Sequence, residues 1–294
     1  EMWQKVDLTE SNGLPIDLVI ATKFPSYFIQ HPNKVLWLIH QYRQIYDLAG
    51  TPYSEFDMSR FSDRRLRKKI AALDSKAMRG FTRRFSNAQN TADRLLKYNQ
   101  VDAKPLYHPP SLEGQYRCDA YDGSVLSVGR LDSLKRIDVL IEAIAQAKQN
   151  IECVIAGTGP EREHLENLAE TLGVKDRVTF LGYVSNDELI DLYARCSAVY
   201  FAPKDEDYGY ITLEAFLSHK PVITASDSGG PLEFVKHNSN GIVLQCLDVA
   251  ELSRSVEQLC TNQEQCRELG TRGFSSISHI HWNDAIGSLL GVTT

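Results

Sequence analysis

The sequence predicts an α/β protein built on doubly wound parallel sheets. From residue 124 onward, short apolar runs alternate with longer segments whose apolar residues recur at helical spacing. Strands separated by helices of that length pair in parallel through strand–helix–strand crossings. In addition, the polar and glycine residues that break the pattern, Arg130, Gly157, Gly159, Glu206 and Gly229, each follow an apolar run. They therefore lie beyond the carboxyl ends of strands, where open parallel sheets bind ligands.

The second part of the chain is read element by element. Residues 125–128 form a strand that ends in Gly129 and Arg130. Residues 136–149 form a helix, with Ile137, Leu140, Ile141, Ile144 and Ala145 on one side. A strand at 153–156 ends in Gly157-Thr158-Gly159. Pro160 opens the next helix, where its missing N–H costs least, and Gly173 stops it. Then come a strand at 178–181, a helix at 186–196 and a strand at 198–202. A helix at 212–218, a strand at 222–225 and a short helix ending at Val235 follow. A strand at 241–245 and a helix at 249–260 complete the series. Before residue 124, strands are expected at 17–21, 35–39, 82–85 and 104–107, about half of an α/β domain. His108-Pro109-Pro110 and the irregular stretch to Gly123 read as a linker. The division is then 1–110, a linker at 111–123, and a second domain from 124.

Composition narrows the function classes. A chain of 294 residues holds one large or two ordinary domains. No apolar run approaches the roughly 20 residues that span a bilayer, and no secretory signal opens the chain. It begins at Glu1, as a chain starting mid-protein would. The six cysteines are scattered without metal or disulfide spacing, so a reducing, cytoplasmic compartment is expected. Between Arg60 and Lys104 there are 13 Lys and Arg against 4 Asp and Glu; the remainder has 19 against 34. Within that basic segment, residues 62–80 read as an amphipathic helix. Leu66, Ile70, Leu73 and Ala77 form its apolar stripe, and Arg64, Arg65, Arg67, Lys68 and Lys69 crowd its start. Two readings stay open: a solvated face, or a face that docks on the anionic inner surface of a membrane or an anionic acceptor. Nucleic acid is disfavoured, because no aromatic or glycine pattern interleaves with the cations.

The chemistry concentrates between Pro203 and Ala215. Glu206 lies in a strand-to-helix loop, Gly209 opens the turn, and Glu214 falls in the first turns of the helix. Two carboxylates and a helix N-terminus thus surround one small space. The N-terminal amides and the helix dipole favour anions, while carboxylates bind hydroxyls. A ligand carrying both phosphates and hydroxyls is a nucleotide sugar; surface acids at an ordinary helix start are the plainer reading. Arg130 and Lys135 place two cations across one strand-to-helix turn, within reach of a diphosphate. The Gly157-Thr158-Gly159 turn fails the dinucleotide fingerprint, whose third glycine falls on Arg162. Hydride transfer is therefore disfavoured.

These motifs follow one another in a telling order. Val128-Gly129-Arg130-Leu131 with Lys135 comes first, then Ala156-Gly157-Thr158-Gly159-Pro160, then Phe180-Leu181-Gly182-Tyr183-Val184. Glu206 and Glu214 with seven residues between them are next, then Gly229-Gly230-Pro231-Leu232-Glu233. The set resembles the retaining GT-B glycosyltransferases of family 4, most specifically over residues 124–260. The resemblance implies two Rossmann-like doubly wound domains, the first incomplete here. The second domain would extend to residue 275, and a tail at 276–294, with His281-Trp282, would cross back to the first.

The resemblance also implies roles. Arg130 and Lys135 would neutralise the donor diphosphate, Glu206 would hold a donor-sugar hydroxyl, and Glu214 the ribose. Gly129, Gly157 and Gly159 would line the donor site, and the amides of Gly209, Tyr210 and Ile211 would lie near sugar and phosphate. Tyr183 and Val184 would frame the base. His40, a lone histidine after an apolar strand, matches one the family places near the donor sugar; a structural role is the alternative. The implied activity is transfer of a sugar from a UDP- or GDP-sugar, with retained anomeric configuration and without a metal. The acceptor would be a glycan, a lipid-linked molecule or a small molecule. The glycine-rich loop of the family's first domain has no counterpart in this sequence. A nucleotide-sugar-binding subunit, non-catalytic or completed by a second chain, is therefore the alternative. An epimerase is disfavoured by the Glu206/Glu214 pair.

Overall fold

Two parallel sheets organise residues 3–292, the part of the chain described by the computed structural model. They belong to two units. The first holds the residues up to His108 together with those from His281 on; the second runs from Pro109 to Ile280.

In the first unit a short antiparallel hairpin, β1 (Glu10–Ser11) and β2 (Leu14–Pro15), precedes a four-stranded parallel sheet. Its strands β3 (Val19–Lys23), β4 (Lys34–His40), β5 (Arg83–Ser86) and β6 (Lys104–Pro105) lie side by side in chain order. The run Val-Leu-Trp-Leu-Ile in β4 is apolar throughout because both faces of the strand are covered. Leu36 and Leu38 pack with Met78 of helix α1 (Phe61–Arg79) and Leu95 of α2 (Gln89–Asn99). Val35 and Trp37 point the other way, toward Leu289 and Trp282 of the C-terminal helix Trp282–Leu290. Each such buried aliphatic side chain contributes roughly 1.5–3 kcal/mol. Arg83 fastens that helix by donating to the Leu289 carbonyl at 3.0 Å.

Two expectations change here. Of the stripe predicted for α1, Ile70, Leu73 and Ala77 are half-buried, Ala77 against the core, but Leu66 is 48% exposed, and the fully buried residues are Asp74 and Met78. The helix is turned so that Asp74 enters the core, where the Tyr46 hydroxyl donates to it at 2.7 Å. Helix α2 was unassigned in the sequence because only Ala92 and Leu95 among its apolar residues are buried.

The second unit contains a six-stranded parallel sheet. The strands are β7 (Val125–Val128), β8 (Cys153–Ala156), β9 (Val178–Gly182), β10 (Ala198–Tyr200), β11 (Val222–Ala225) and β12 (Gly241–Leu244). Their order in the sheet is β12-β11-β10-β7-β8-β9. Between them run α3 (Ile137–Gln146), α4 (Arg162–Thr171), α5 (Asn186–Arg195), α6 (Tyr210–Leu217) and α7 (Pro231–Phe234). Helices α8 (Val249–Cys260) and α9 (Gln263–Ile277) close the unit. Leu140, Ile141 and Ile144 of α3 meet Val125, Ile155, Leu252 and Val256 in one core.

Local differences from the sequence reading have local causes. Helix α4 starts at Arg162 rather than Pro160, and the Glu161 N–H ahead of it donates to the Leu131 carbonyl at 3.1 Å. Helix α3 ends at Gln146 because the Gln149 N–H donates to the Glu257 carboxylate at 2.8 Å. The stretch expected as a linker is fixed to the second unit: the Asp119 and Ala120 amides donate to the Ala194 carbonyl at 2.8 and 3.1 Å. Among the described residues, no helix is long and apolar enough to cross a membrane.

Candidate functional site

The strand order creates the site. From β7 the chain steps outward to β8 and β9, then returns to the other side of β7 to form β10. Loops after β7 and β10 consequently diverge, and the crevice between them is where ligands of such sheets bind. Gly129, Arg130, Gly157, Gly159, Tyr183 and Val184, all singled out in the sequence, line an open cleft of about 510 Å³ at this end.

The glycines of the cleft serve loop packing first. Gly157 has φ +143°, and a Cβ there would lie 1.8 Å from the Gly129 carbonyl oxygen. A Cβ on Gly159 would lie 2.1 Å from the Leu131 oxygen. The two loops therefore touch backbone to backbone, with the Leu131 amide donating to the Thr158 carbonyl at 2.9 Å. Tyr183 remains 85% exposed above them.

Lys135 is delivered by a single 3-10 turn, Ser133–Lys135, capped by the Asp132 side chain, which accepts from the Leu134 amide at 3.1 Å. Its ammonium pairs with the Glu206 carboxylate and stands 5.4 Å from the centre of the Phe201 ring. Glu206 is held at its backbone: its N–H donates to the Ser228 carbonyl, and its carbonyl accepts from Gly230, both at 2.8 Å. Arg130 is different. Its side chain is 73% exposed, and its Nε lies 4.0 Å from the Asp132 carboxylate.

Helix α6 closes the cluster. Gly209, at φ +84°, opens it, and a Cβ there would come within 3.0 Å of both Phe201 and Pro231. Ile211 in the first turn reaches over Gly129, its Cδ1 3.5 Å from where a Cβ would be. Tyr210 stands beside buried Tyr208, ring centres 5.2 Å apart. Glu214, one turn on, is half-buried and accepts from the Tyr193 hydroxyl at 2.8 Å. Burial raises its carboxyl above the ordinary range, and the Tyr193 hydrogen bond offsets only part of that.

The structure thus groups Gly129, Arg130, Gly157, Gly159, Tyr183 and Val184 around one cleft, pairs Lys135 with Glu206, and sets Ile211 against Gly129. His40 belongs to the first unit, exposed at the end of β4. Sequence reasoning passed over Tyr193, Arg136 and Asp227. Tyr193 reads as a helix core residue, and its hydroxyl partner is 21 residues away. Arg136 reads as a helix start, yet it has φ +55° and its guanidinium holds Asp227. A charged residue just before the Gly229-Gly230 turn was the one available signal. Among the described residues, no group of three or more His, Cys, Asp or Glu side chains is placed to hold a metal ion.

Two Rossmann-like units with these loops define the GT-B class of fold, the first sheet being the smaller. The sequence pattern of the family described as glycosyl transferases group 1 matches residues 117–275, more than half of the chain, and the chain belongs to that family. An alpha-D-kanosaminyltransferase of Streptomyces kanamyceticus is 26% identical over 86% of this chain and 64% of its own length. A GDP-mannose-dependent alpha-(1-6)-phosphatidylinositol monomannoside mannosyltransferase of Mycobacterium tuberculosis is 34% identical over 51% of this chain and 41% of its own. The chain therefore spans less than two thirds of either relative. Among solved structures, sucrose-phosphate synthase of Thermosynechococcus elongatus superposes with a TM-score of 0.76 at 18% identity, covering 92% of this chain and 71% of that one. HepE of Anabaena, in complex with UDP and glucose, gives 0.65 at 19%, covering 76% and 65%. At these identities the structural likeness speaks for the fold.

Proposed function

We propose that this chain carries the donor half of a retaining glycosyltransferase that uses a nucleoside-diphosphate sugar. The observation that supports this most is the Lys135–Glu206 ion pair at the switch point of the sheet, beside Phe201, whose ring in turn lies against Gly209 at the start of α6. A diphosphate in the crevice takes Lys135 and Arg130 as its cations, and the first-turn amides of α6 add to them. Glu206, relieved of Lys135, accepts from a sugar hydroxyl. Glu214, oriented by Tyr193, accepts from the ribose. Tyr183 and Val184 border the base.

Rate enhancement in this reading comes from charge stabilisation. As the sugar–phosphate bond breaks, negative charge builds on the diphosphate, and preorganised cations and amides lower that barrier. The acceptor attacks on the face the diphosphate leaves, so configuration is retained. The M. tuberculosis relative is named for GDP-mannose, and the Anabaena structure holds UDP; both bases enter the test. A panel of UDP- and GDP-sugars is incubated with lipid-linked and soluble acceptors, and the anomeric configuration of the product is read by nuclear magnetic resonance. Retention with one donor supports the reading; inversion contradicts it.

The acceptor side involves the first unit. The outward face of α1 carries Phe61, Arg65, Lys68, Lys69 and Lys76, all exposed. Cations beside an exposed aromatic ring suit an anionic lipid surface that presents a lipid-linked acceptor. Sedimentation with vesicles of anionic lipid, weakened by salt and absent for neutral vesicles, is the expected behaviour.

A further inference from the structure

The parallel ladder between β10 and β11 is interrupted just before Glu206. The Phe201 amide donates to the Ile223 carbonyl at 2.9 Å, in register with the strand pair. Further on, the Asp205 and Glu206 amides donate to the Asp227 and Ser228 carbonyls at 2.9 and 2.8 Å. In the gap, the Ala202 and Pro203 carbonyls have another partner. Arg136 donates to them from Nε at 2.6 Å and from Nη2 at 2.8 Å. Its fork also grips the Asp227 carboxylate, Nη1 to Oδ2 at 3.0 Å and Nη2 to Oδ1 at 2.8 Å. Lys204 adds a contact to Asp227 at 2.7 Å. This explains why the strand predicted to reach Ala202 ends at Tyr200.

We infer that Arg136 and Asp227 form a clamp that positions Glu206 and Lys135 for the donor, an inference resting on the nucleotide-sugar reading above. Arg136 directly follows Lys135, and Asp205 directly precedes Glu206. Both flanking residues are left-handed without being glycine, at φ +55° and +50°. Such backbone is uncommon for ordinary residues and persists where surrounding bonds over-determine it. Here the bonds are visible: five from the Arg136 side chain and Lys204, and one from the buried Tyr200 hydroxyl to the Arg136 carbonyl at 2.8 Å. A planar guanidinium is the group that can satisfy two carbonyls and a bidentate carboxylate together. The Asp227 carboxyl is raised by partial burial, but hydrogen bonds from Arg136 and Lys204 outweigh that and hold it down at about 2. The clamp is therefore charged at every physiological pH. Arg136 and Asp227 act as positioning residues, through the ion pair they hold.

The test separates backbone strain from positioning. Arg136→Gly removes the fork yet relieves the left-handed residue, so it folds without the strain that Arg136→Ala retains. Hydrogen–deuterium exchange over residues 201–208 and calorimetric titration with UDP and GDP are measured for the full chain, Arg136→Gly, Asp227→Asn and the double variant. Exchange of the Asp205 and Glu206 amides should rise about tenfold in each single variant, while the rest of the second unit stays protected. Affinity for whichever diphosphate the parent chain binds should fall about tenfold, with the double variant no worse than the singles, as for members of one unit. Unchanged exchange in Arg136→Gly, or additive losses, overturns the clamp. If the parent chain binds neither diphosphate, the donor reading fails while the exchange data still decide the clamp.

Discussion

The first unit carries a side-chain hydrogen-bond network in its core, whereas the ion pairs of the second unit's candidate site stand at strand ends. In the first unit Gln41, Asp74 and Asn99 have at most 1% exposure. Gln41 donates to Asn99 at 2.6 Å, Asn99 donates to Ser75 and to the Tyr46 hydroxyl, both at 2.9 Å, and Tyr46 donates to Asp74. That network orders a core. In the second unit the Lys135–Glu206 and Arg136–Asp227 pairs stand at strand ends, partly open and joined through loops, although Lys220 is fully buried there. Polar residues bonded to one another deep inside serve architecture. Ion pairs at a switch point, partly open to solvent, can exchange a protein partner for a ligand.

The largest effects are expected where that exchange occurs. Lys135→Ala or Arg130→Ala should lower the transfer rate roughly 100- to 1,000-fold, measured with saturating donor. A loss below about threefold in both variants would place the cations outside the reaction, making the second unit's loops as structural as the first unit's core. Next is the loop packing beneath them. Gly157→Ala drives a Cβ into the Gly129 carbonyl and should destabilise the unit by roughly 3 kcal/mol or more. Gly173, at φ +70° with open space around it, is the control and should lose only about 1 kcal/mol. Equal losses from chemical denaturation would show that backbone angle, not loop contact, requires Gly157.

The first unit's network is tested by pH. Burial pushes the Asp74 carboxyl up to about 6, despite the hydrogen bond from Tyr46. A raised carboxyl contributes stability below its unfolded value near 4 that is lost as pH rises through 6. The shift corresponds to about 3 kcal/mol. Denaturant titrations from pH 4 to 7 should show a decline about 3 kcal/mol larger in the parent chain than in Asp74→Asn, which keeps only the part due to other raised carboxyls such as Glu214. The smallest effect concerns the outer face of α1. Leu66→Ser should change stability by less than about 0.5 kcal/mol, and a loss above 1 kcal/mol would restore Leu66 to the core.

How much could be read beforehand differs between the units for physical reasons. The second unit's strands were legible because they are short apolar runs, several closed by glycine or a polar residue; β7, β8 and β11 fall where spacing put them. The Lys135–Glu206 pairing was not visible in spacing, since the partners are 71 residues apart and meet only through the sheet order. Arg136 was misread because a charged residue beside an apolar helix looks like its first turn, and nothing local announces a left-handed residue. In the first unit, β4 was plain from its apolar run. The inward Asp74 was not, because periodicity counts apolar positions and a buried carboxylate is invisible to it.

Donor recognition turns on whether the second unit holds a nucleoside diphosphate between Lys135 and Glu214. Calorimetric titration of the chain with UDP and with GDP, alongside Lys135→Ala and Glu214→Ala, tests it most directly. Micromolar binding of one diphosphate, weakened about tenfold or more by each substitution, is the predicted result. Absence of binding to both, or binding that neither substitution changes, would contradict the claim and leave the fold without this donor site.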